Sequence, residues 1–173
     1  MASSPAPAPG VSNYPYKIAV LCDLRNSNGE VLLLHRARDP NKGLYSPIGG
    51  KLDTASGESP TQCAQREVHE EARVLLPLER FKLVAMISER GYENQTNWLL
   101  FYFRVTGAVD FAPFDMNEGR LEWHPPEMLE KLAVPDTDRQ IIWPLIRKHE
   151  NGFFAVHIDC EDRKLKWRVE QSW

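Results

Sequence analysis

Glu67, Glu70 and Glu71 stand at i, i+3 and i+4 in the stretch from Gly49 to Leu75, GGKLDTASGESPTQCAQREVHEEARVL. On a helix of about 3.6 residues per turn these positions share one face, so three carboxylates are held close and repel unless a positive charge sits between them. The helix is expected on separate grounds. Ser59, Pro60 and Gln62 supply an N-cap hydroxyl, a proline at the first helical position and a capping-box partner. Ala64, Val68, Ala72 and Leu75 then recur at i, i+4, i+8 and i+11, a stripe that predicts one buried face. Such a helix packs on a core and presents its acids at the rim of a cleft. Taken alone, the acidic triad is equally what a solvated helix shows when its charge is met by Arg66 or Arg73.

Clustered carboxylates suit a hard, oxygen-loving cation such as Mg2+ or Mn2+, whereas zinc calls for His or Cys. His69 falls on another part of the helix. Ahead of the helix, the loop from Arg36 to Lys51 carries Arg36, Arg38, Lys42 and Lys51, a basic group able to hold phosphates that a metal alone does not neutralise. Gly49 and Gly50 leave room for a backbone carbonyl to approach a metal. A divalent ion shared by the acids and a diphosphate would screen charge, polarise a phosphoryl group and acidify water, which fits hydrolysis of a phosphoanhydride.

The wider pattern, Glu58, seven residues, then Arg66-Glu67-Val68-His69-Glu70-Glu71, resembles the Nudix box. Two departures stand out: seven residues separate Gly50 from Glu58 where the box has five, and Arg73 replaces the box glycine. The resemblance implies an α+β Nudix fold, an α/β/α sandwich with a central mixed β-sheet and the Nudix loop-helix. It also implies a Mg2+-dependent pyrophosphohydrolase, with Mn2+ as the other candidate, that cleaves a nucleoside diphosphate derivative. By position, the metal ligands would be Glu67, Glu70 and Glu71, completed by the Gly50 carbonyl and Glu118. Glu70, Glu71 and Arg66 form the catalytic set: one of the two glutamates handles the water, and Arg66, paired with Glu58, orients the box.

Beyond the box, the order of elements is similar to MutT-type hydrolases, and the segment from PDTD to NGFF resembles the 8-oxo-dGTP diphosphatase-like branch. That likeness points to (d)NTP or oxidised dNTP, with Asp136 and Asp138 reading a purine edge; capping and dipole complementarity explain the two acids equally well. Ser46 stands where the branch has a base-binding Asn, and Val134 where it has an aromatic. Arg36, Arg38, Lys51, Ser46, Asp136 and Asp138 are the expected substrate contacts. Two other readings use the same fold. One is a catalytically weak nucleotide-binding or sensor module; the other is an isoprenyl diphosphate isomerase, which needs a proton donor such as Cys63 facing the substrate.

The remaining sequence bounds these readings. At 173 residues with 42% hydrophobic content, one domain over residues 15–173 is expected, after a Pro/Ala/Ser-rich tail at 1–14 with nothing to bury. A net charge of -3 argues against a nucleic-acid surface, so the partner is a nucleotide or a nucleoside-diphosphate-linked small molecule. Cys22, Cys63 and Cys160 form no CxxC, and neither a membrane-length apolar run nor a signal peptide is seen; a reduced, cytoplasmic protein is expected. Ile18 to Leu24 and Val31 to Leu34, joined by Asn28-Gly29, read as a hairpin, and Phe81–Ser88 and Thr96–Val105 as strands whose aromatics (Trp98, Phe101, Tyr102, Phe103) serve the core. A short helix follows Pro125-Pro126. Thr137 and Gln140 suggest a capping box on a last helix kinked at Pro144, and a closing hairpin turns near residues 161–163.

Overall fold

The computed structural model describes residues 13–39, 41–161 and 164–173. The tail expected at 1–14 lies outside these residues through residue 12, as does most of the turn expected at 161–163. The larger sheet is mixed and runs, in spatial order, β1 (Tyr16–Asp23), β5 (Thr96–Val105), β4 (Phe81–Tyr92), β8 (Phe154–Asp159) and β9 (Lys166–Ser172). β1 lies parallel to β5 and β4 parallel to β8, while β4/β5 and β8/β9 are antiparallel. The smaller sheet is antiparallel throughout, in the order β3 (Tyr45–Ser46), β2 (Val31–Arg36), β7 (Gly119–His124) and β6 (Phe114–Met116).

The hairpin expected from β1 and β2 forms only at its base, where Arg25 bridges Val31 and the Leu32 N–H donates to the Leu24 carbonyl at 3.0 Å. Beyond that point the strands enter different sheets. The reason lies on the free edge of β1, which is taken by the loop before the box: Val20 N–H donates to Gly50 O at 2.9 Å and Cys22 N–H to Ile48 O at 2.8 Å. With that edge filled, β2 pairs with β7 instead. Its uninterrupted apolar run then serves both cores, Leu32 and Leu34 on one side, Val31 and Leu33 on the other.

Those two cores lie on opposite faces of the mixed sheet. On one face, α1 (Pro60–Ala72) buries Cys63, Ala64, Val68 and Ala72 against Val20, Cys22 and Phe103. On the other, α2 (Trp143–Lys148) buries Trp143, Leu145 and Ile146 against Ala85, Ile87 and Phe154. The result is the helix–sheet–helix layering the sequence predicts. Among the described residues, no helix is long and apolar enough to cross a membrane.

The start of α1 follows its sequence signal. The Gln62 N–H donates to the Ser59 hydroxyl at 3.2 Å, and the Ser59 N–H donates to the Gln62 side chain at 3.0 Å. Its end differs from the periodic reading, because Arg73 turns left-handed (φ 59, ψ 26) and breaks the stripe. Leu75 is therefore 69% exposed and Leu76 takes the buried place. The Arg73 guanidinium lies 4.5 Å from the Phe114 ring centroid, a cation–π contact that offsets part of the backbone strain.

The expected capping box before α2 does not form: Thr137 is itself helical and caps nothing. Asp138–Ile142 make a π turn closed by the Trp143 N–H on the Asp138 carbonyl. The wide turn ends one residue before Pro144, whose ring would collide with the Gln140 carbonyl in a regular α-helix.

Arg73 separates two contributions. Arg73→Gly relieves the left-handed strain and Arg73→Ala does not, although both lose the ring contact. Urea denaturation should find the glycine variant about 1 kcal/mol more stable than the alanine variant; equal stability would contradict this account of the helix end.

Candidate active site

The pairing on β1 fixes Gly49 and Gly50 beside the acidic face of α1. At Gly50 a Cβ would lie 2.3 Å from Glu67 Oε1, so the missing side chain is what admits the carboxylate. Gly49 has φ +153, and a Cβ there would sit 2.0 Å from the Val20 carbonyl oxygen. The Gly50 carbonyl, assigned to a metal from sequence, spends one acceptor position on Val20 and faces the Cys63 thiol at 3.8 Å.

Arg66 is the hub of the box. Its guanidinium grips Glu58 with two contacts of 2.8 and 3.0 Å, donates to the Lys51 carbonyl at 3.1 Å, and reaches Glu67 at 2.6 Å and Glu70 at 3.3 Å. The Glu58 hydrogen bonds from Arg66 hold its carboxyl down to about 2. The two additional residues ahead of the helix fall in a loop folded on itself: Asp53 accepts from Ala55 and Ser56, and its own N–H donates to Glu58 at 2.9 Å. Residues 53–57 are exposed and line neither cavity described below.

Glu71 is buried on the inner side of the helix and accepts from the Gly49 N–H at 3.2 Å. Burial first, and the charge of Glu67 second, push its carboxyl up to about 8; burial also raises Glu67. Glu118, in the turn between β6 and β7, lies 3.7 Å from Arg36. Five carboxylates (Glu58, Glu67, Glu70, Glu71, Glu118) thus face two guanidiniums, Arg66 and Arg36. Among the described residues, no three acidic, imidazole or thiol groups already converge as metal ligands, since Glu67 turns to Arg66 and Glu71 to the Gly49 amide.

A cavity of about 490 Å3 opens beside this cluster. One end is lined by Glu67, Glu71, Glu118, Arg36 and Lys51, the other by Glu89, Asp138, Thr137, Tyr92 and Asn41, with Trp98 and Leu100 as apolar wall. Ser46 lines it as well. Three expected residues fall elsewhere. Arg38 is exposed beyond the end of β2 and lines none of the cavities; Asp136 is exposed and faces a neighbouring depression; Glu70 faces a second, open cavity that it shares with Glu67, Glu71 and Glu118. Asp136 and Asp138 part company because the chain turns helical between them, sending one to solvent and the other inward.

Glu89 is the residue the sequence reading passed over. It is 3% exposed, accepts from the Thr137 hydroxyl, and is pushed up to about 8 by burial and by Asp138, which burial itself carries to about 7. A signal was present: Ala85, Ile87 and Glu89 alternate along β4, so an acid occupies a position where the period places a core residue. Trp98, assigned to the core with its neighbours, proves half-buried and part of the cavity wall, whereas Tyr102 and Phe103 are buried as expected.

The comparison with known families agrees with this arrangement. A family model described as NUDIX domain matches residues 15–147, and the chain belongs to the Nudix family as one of its hydrolases. It is 27% identical over 117 residues to the Nudix hydrolase YvcI of Bacillus subtilis (strain 168), covering 67% of this chain and 71% of that protein. Its fold is similar to the mutator MutT protein of Bacillus halodurans, with TM-score 0.70, 22% identity, and coverage of 89% of this chain and 97% of that one. The NUDIX domain of Shewanella oneidensis NrtR, solved in complex with ADP ribose, is similar with TM-score 0.62 and 15% identity over 80% of this chain and 90% of that one.

The Glu58–Arg66 grip has a pH signature. Because the folded carboxyl titrates near 2 and an unfolded one near 4.5, the contribution is complete above the unfolded value and is lost as pH falls through the folded one. Glu58→Gln should cost about 1 kcal/mol at pH 7, and the gap between variant and parent should close as denaturation is repeated from pH 5 down to pH 2. A gap that stays constant with pH would assign the loss to packing.

Proposed function

We propose that this Nudix hydrolase is a Mg2+-dependent pyrophosphohydrolase of nucleotides, with (d)NTP or oxidised dNTP as the leading substrate class. The observation that carries the reading is the single cavity with a box carboxylate cluster and basic residues at one end and a buried acid pair at the other. Its volume lies in the range of about 300–1,000 Å3 usual for ligand sites. Its length separates a place for phosphates from a place for a base.

The donor chemistry at the box end fits a divalent ion. The oxygens are hard, their formal charge exceeds that of the arginines beside them, and Glu71 rises to about 8 even with Arg36 acting on it. Glu67, Glu70, Glu71 and Glu118 would hold the metal, with the second acceptor position of the Gly50 carbonyl as a further ligand. When bound, Mg2+ or Mn2+ supplies charge neutralisation and an acidified water. Arg36 and Lys51 bind phosphate oxygens. Glu70 or Glu71 takes the proton from the attacking water, and Arg66, tied to Glu58 and the Lys51 carbonyl, keeps the helix and the loop in register. Cys63 is buried behind Gly50 and lines neither cavity beside the acids, which disfavours the isomerase reading.

At the other end, Glu89 and Asp138 are acids held toward the neutral form, able to donate as well as accept a hydrogen bond, and Trp98 offers an apolar face to a heterocycle. ADP ribose in the NrtR domain shows that a related fold accepts a nucleoside diphosphate derivative. A panel of dNTPs, oxidised dNTPs, ADP-ribose and NDP-sugars incubated with Mg2+ tests the reading by phosphate or pyrophosphate release. Glu70→Gln and Glu71→Gln should each lower kcat by at least about 100-fold. Tight nucleotide binding without turnover in the parent protein would instead make it a sensor.

The acid pair can be tested separately. Glu89→Ala should raise KM about tenfold with a smaller change in kcat, while Glu89→Gln, which imitates the neutral acid, should stay near the parent. Above about pH 8 the parent's KM should rise as Glu89 ionises, and the glutamine variant's should rise less; the titratable groups around Glu89 are Asp138, Tyr92 and Cys160. Equal KM–pH curves for parent and glutamine variant would remove Glu89 from substrate binding.

A further inference from the structure

Tyr92 closes β4 and Asn41 stands in the loop after β2, and the two meet at the end of the cavity away from the box: the Tyr92 hydroxyl donates to Asn41 Oδ1 at 2.8 Å. Both residues also line the depression on the other side, so their contact is part of the partition between the two spaces. A molecule lying in the cavity with its phosphates at the box therefore ends against this pair. Each partner is fixed by its own turn. Asn41 is left-handed (φ 64), a conformation asparagine tolerates better than most residues, and its carbonyl accepts from the Leu44 N–H at 2.9 Å. Beyond Tyr92 the chain turns through Glu93 and Asn94, both left-handed, and the Gln95 N–H returns to the Tyr92 carbonyl at 3.0 Å.

The hydroxyl sets which way the amide faces. Burial, and after it the charge of Glu89, raises the Tyr92 phenol well above its ordinary range, so it keeps its proton and needs an acceptor. Asn41 Oδ1 is that acceptor. The Nδ2 group, with two N–H donors, is bonded to none of the described residues. With the amide turned over, Nδ2 could donate to the phenol oxygen, but the phenol proton would lose its acceptor.

That orientation separates Asn41 from the acid pair. Glu89 and Asp138, held toward the neutral form, each offer a donor and an acceptor and adapt to either kind of base edge. Asn41, its carbonyl turned to Tyr92, offers donors alone. We propose that Asn41, oriented by Tyr92, sets base selectivity, favouring bases with a carbonyl on the edge it meets over bases with an exocyclic amine there. On the nucleotide reading of this cavity, on which the assignment rests, the substrate class narrows to keto bases such as guanine or hypoxanthine ahead of adenine. A carbonyl oxygen accepts from Nδ2, whereas an amine sets donor against donor and leaves both unpaired in a partly enclosed site.

Inosine and adenine nucleotides form the test pair, because their bases differ along one edge. Hydrolysis of dITP and dATP with Mg2+ gives kcat/KM, and calorimetry with dIMP and dAMP gives affinity without turnover. The parent should favour the inosine member about tenfold in both measurements. Asn41→Gly, which keeps the left-handed backbone without strain, should remove the preference by weakening the inosine member alone. Asn41→Asp, which offers acceptors only, should invert it. Tyr92→Phe lets the amide turn over and should narrow the preference by strengthening the adenine member, a gain that damage to the wall would not produce. Equal use of the two bases by the parent, or an equal loss on both in Asn41→Gly, would overturn the assignment. Base-selective binding without turnover of either triphosphate would instead reject the hydrolase reading and leave the role of Asn41 standing.

Discussion

Two backbone hydrogen bonds, from Val20 to Gly50 and from Cys22 to Ile48, tie the loop before the box to the free edge of β1. An edge strand must be covered or paired, and here the cover is the functional loop itself. The consequences run outward from that choice. β2 is displaced into the second sheet, the two glycines come to rest against Glu67, and the Lys51 carbonyl faces Arg66. The loop is thus held from both sides, by strand backbone on one and by a guanidinium on the other, which keeps an acid-rich surface in one shape although its charges repel.

That repulsion has only a partial internal answer. Arg66 meets Glu58 and Glu67 at close range, but Glu71 is buried with only the Gly49 N–H and the charge of Arg36 for compensation. A carboxylate in that situation either takes up a proton or gains a cation. On the proposed function that cation would be a divalent ion, and a triad at the rim of a cavity suits it better than a triad on open surface. On open surface, solvent would screen the acids, and nothing would favour an ion there.

How much of this was legible in the sequence depends on the range of the interaction. The helix of the box was readable because its start is local: Ser59, Pro60 and Gln62 carry their own instructions, and the glutamates follow from the helical period. Its end was less so, since left-handed Arg73 shifts the apolar contact from Leu75 to Leu76 for reasons no period contains. The β1–β2 hairpin failed because the competitor for the β1 edge lies in a loop whose pairing is non-local. Asp136 and Asp138 were treated alike, and only the turn geometry after Thr137 separates them. Glu89 broke the alternation of its strand visibly, but its partner lies on a different element far along the chain, so sequence gave the anomaly without its meaning. Arg38, one of a run of basic residues, carried no mark to set it apart from Arg36, and only the end of β2 decides which of them faces inward.

The two ends of the cavity beside the box use one physical effect in opposite senses. Burial raises Glu71 to about 8 at one end and Glu89 to about 8 at the other. At the box end the neighbours are further carboxylates opening to solvent and a basic loop, so on the proposed function a divalent cation would be the low-cost resolution. At the far end the neighbours are Thr137, Tyr92 and Trp98, with no guanidinium or lysine among the lining residues there, so the resolution is a proton. A ligand that satisfies both must be anionic at one end and must offer neutral hydrogen-bonding edges and an aromatic face at the other. Among phosphoanhydrides, nucleotides have that polarity along their length, whereas inorganic pyrophosphate or an isoprenyl diphosphate would leave the buried acids without a partner. On the proposed function, the box carboxylates and the far acid pair would thus select one kind of molecule through different residues.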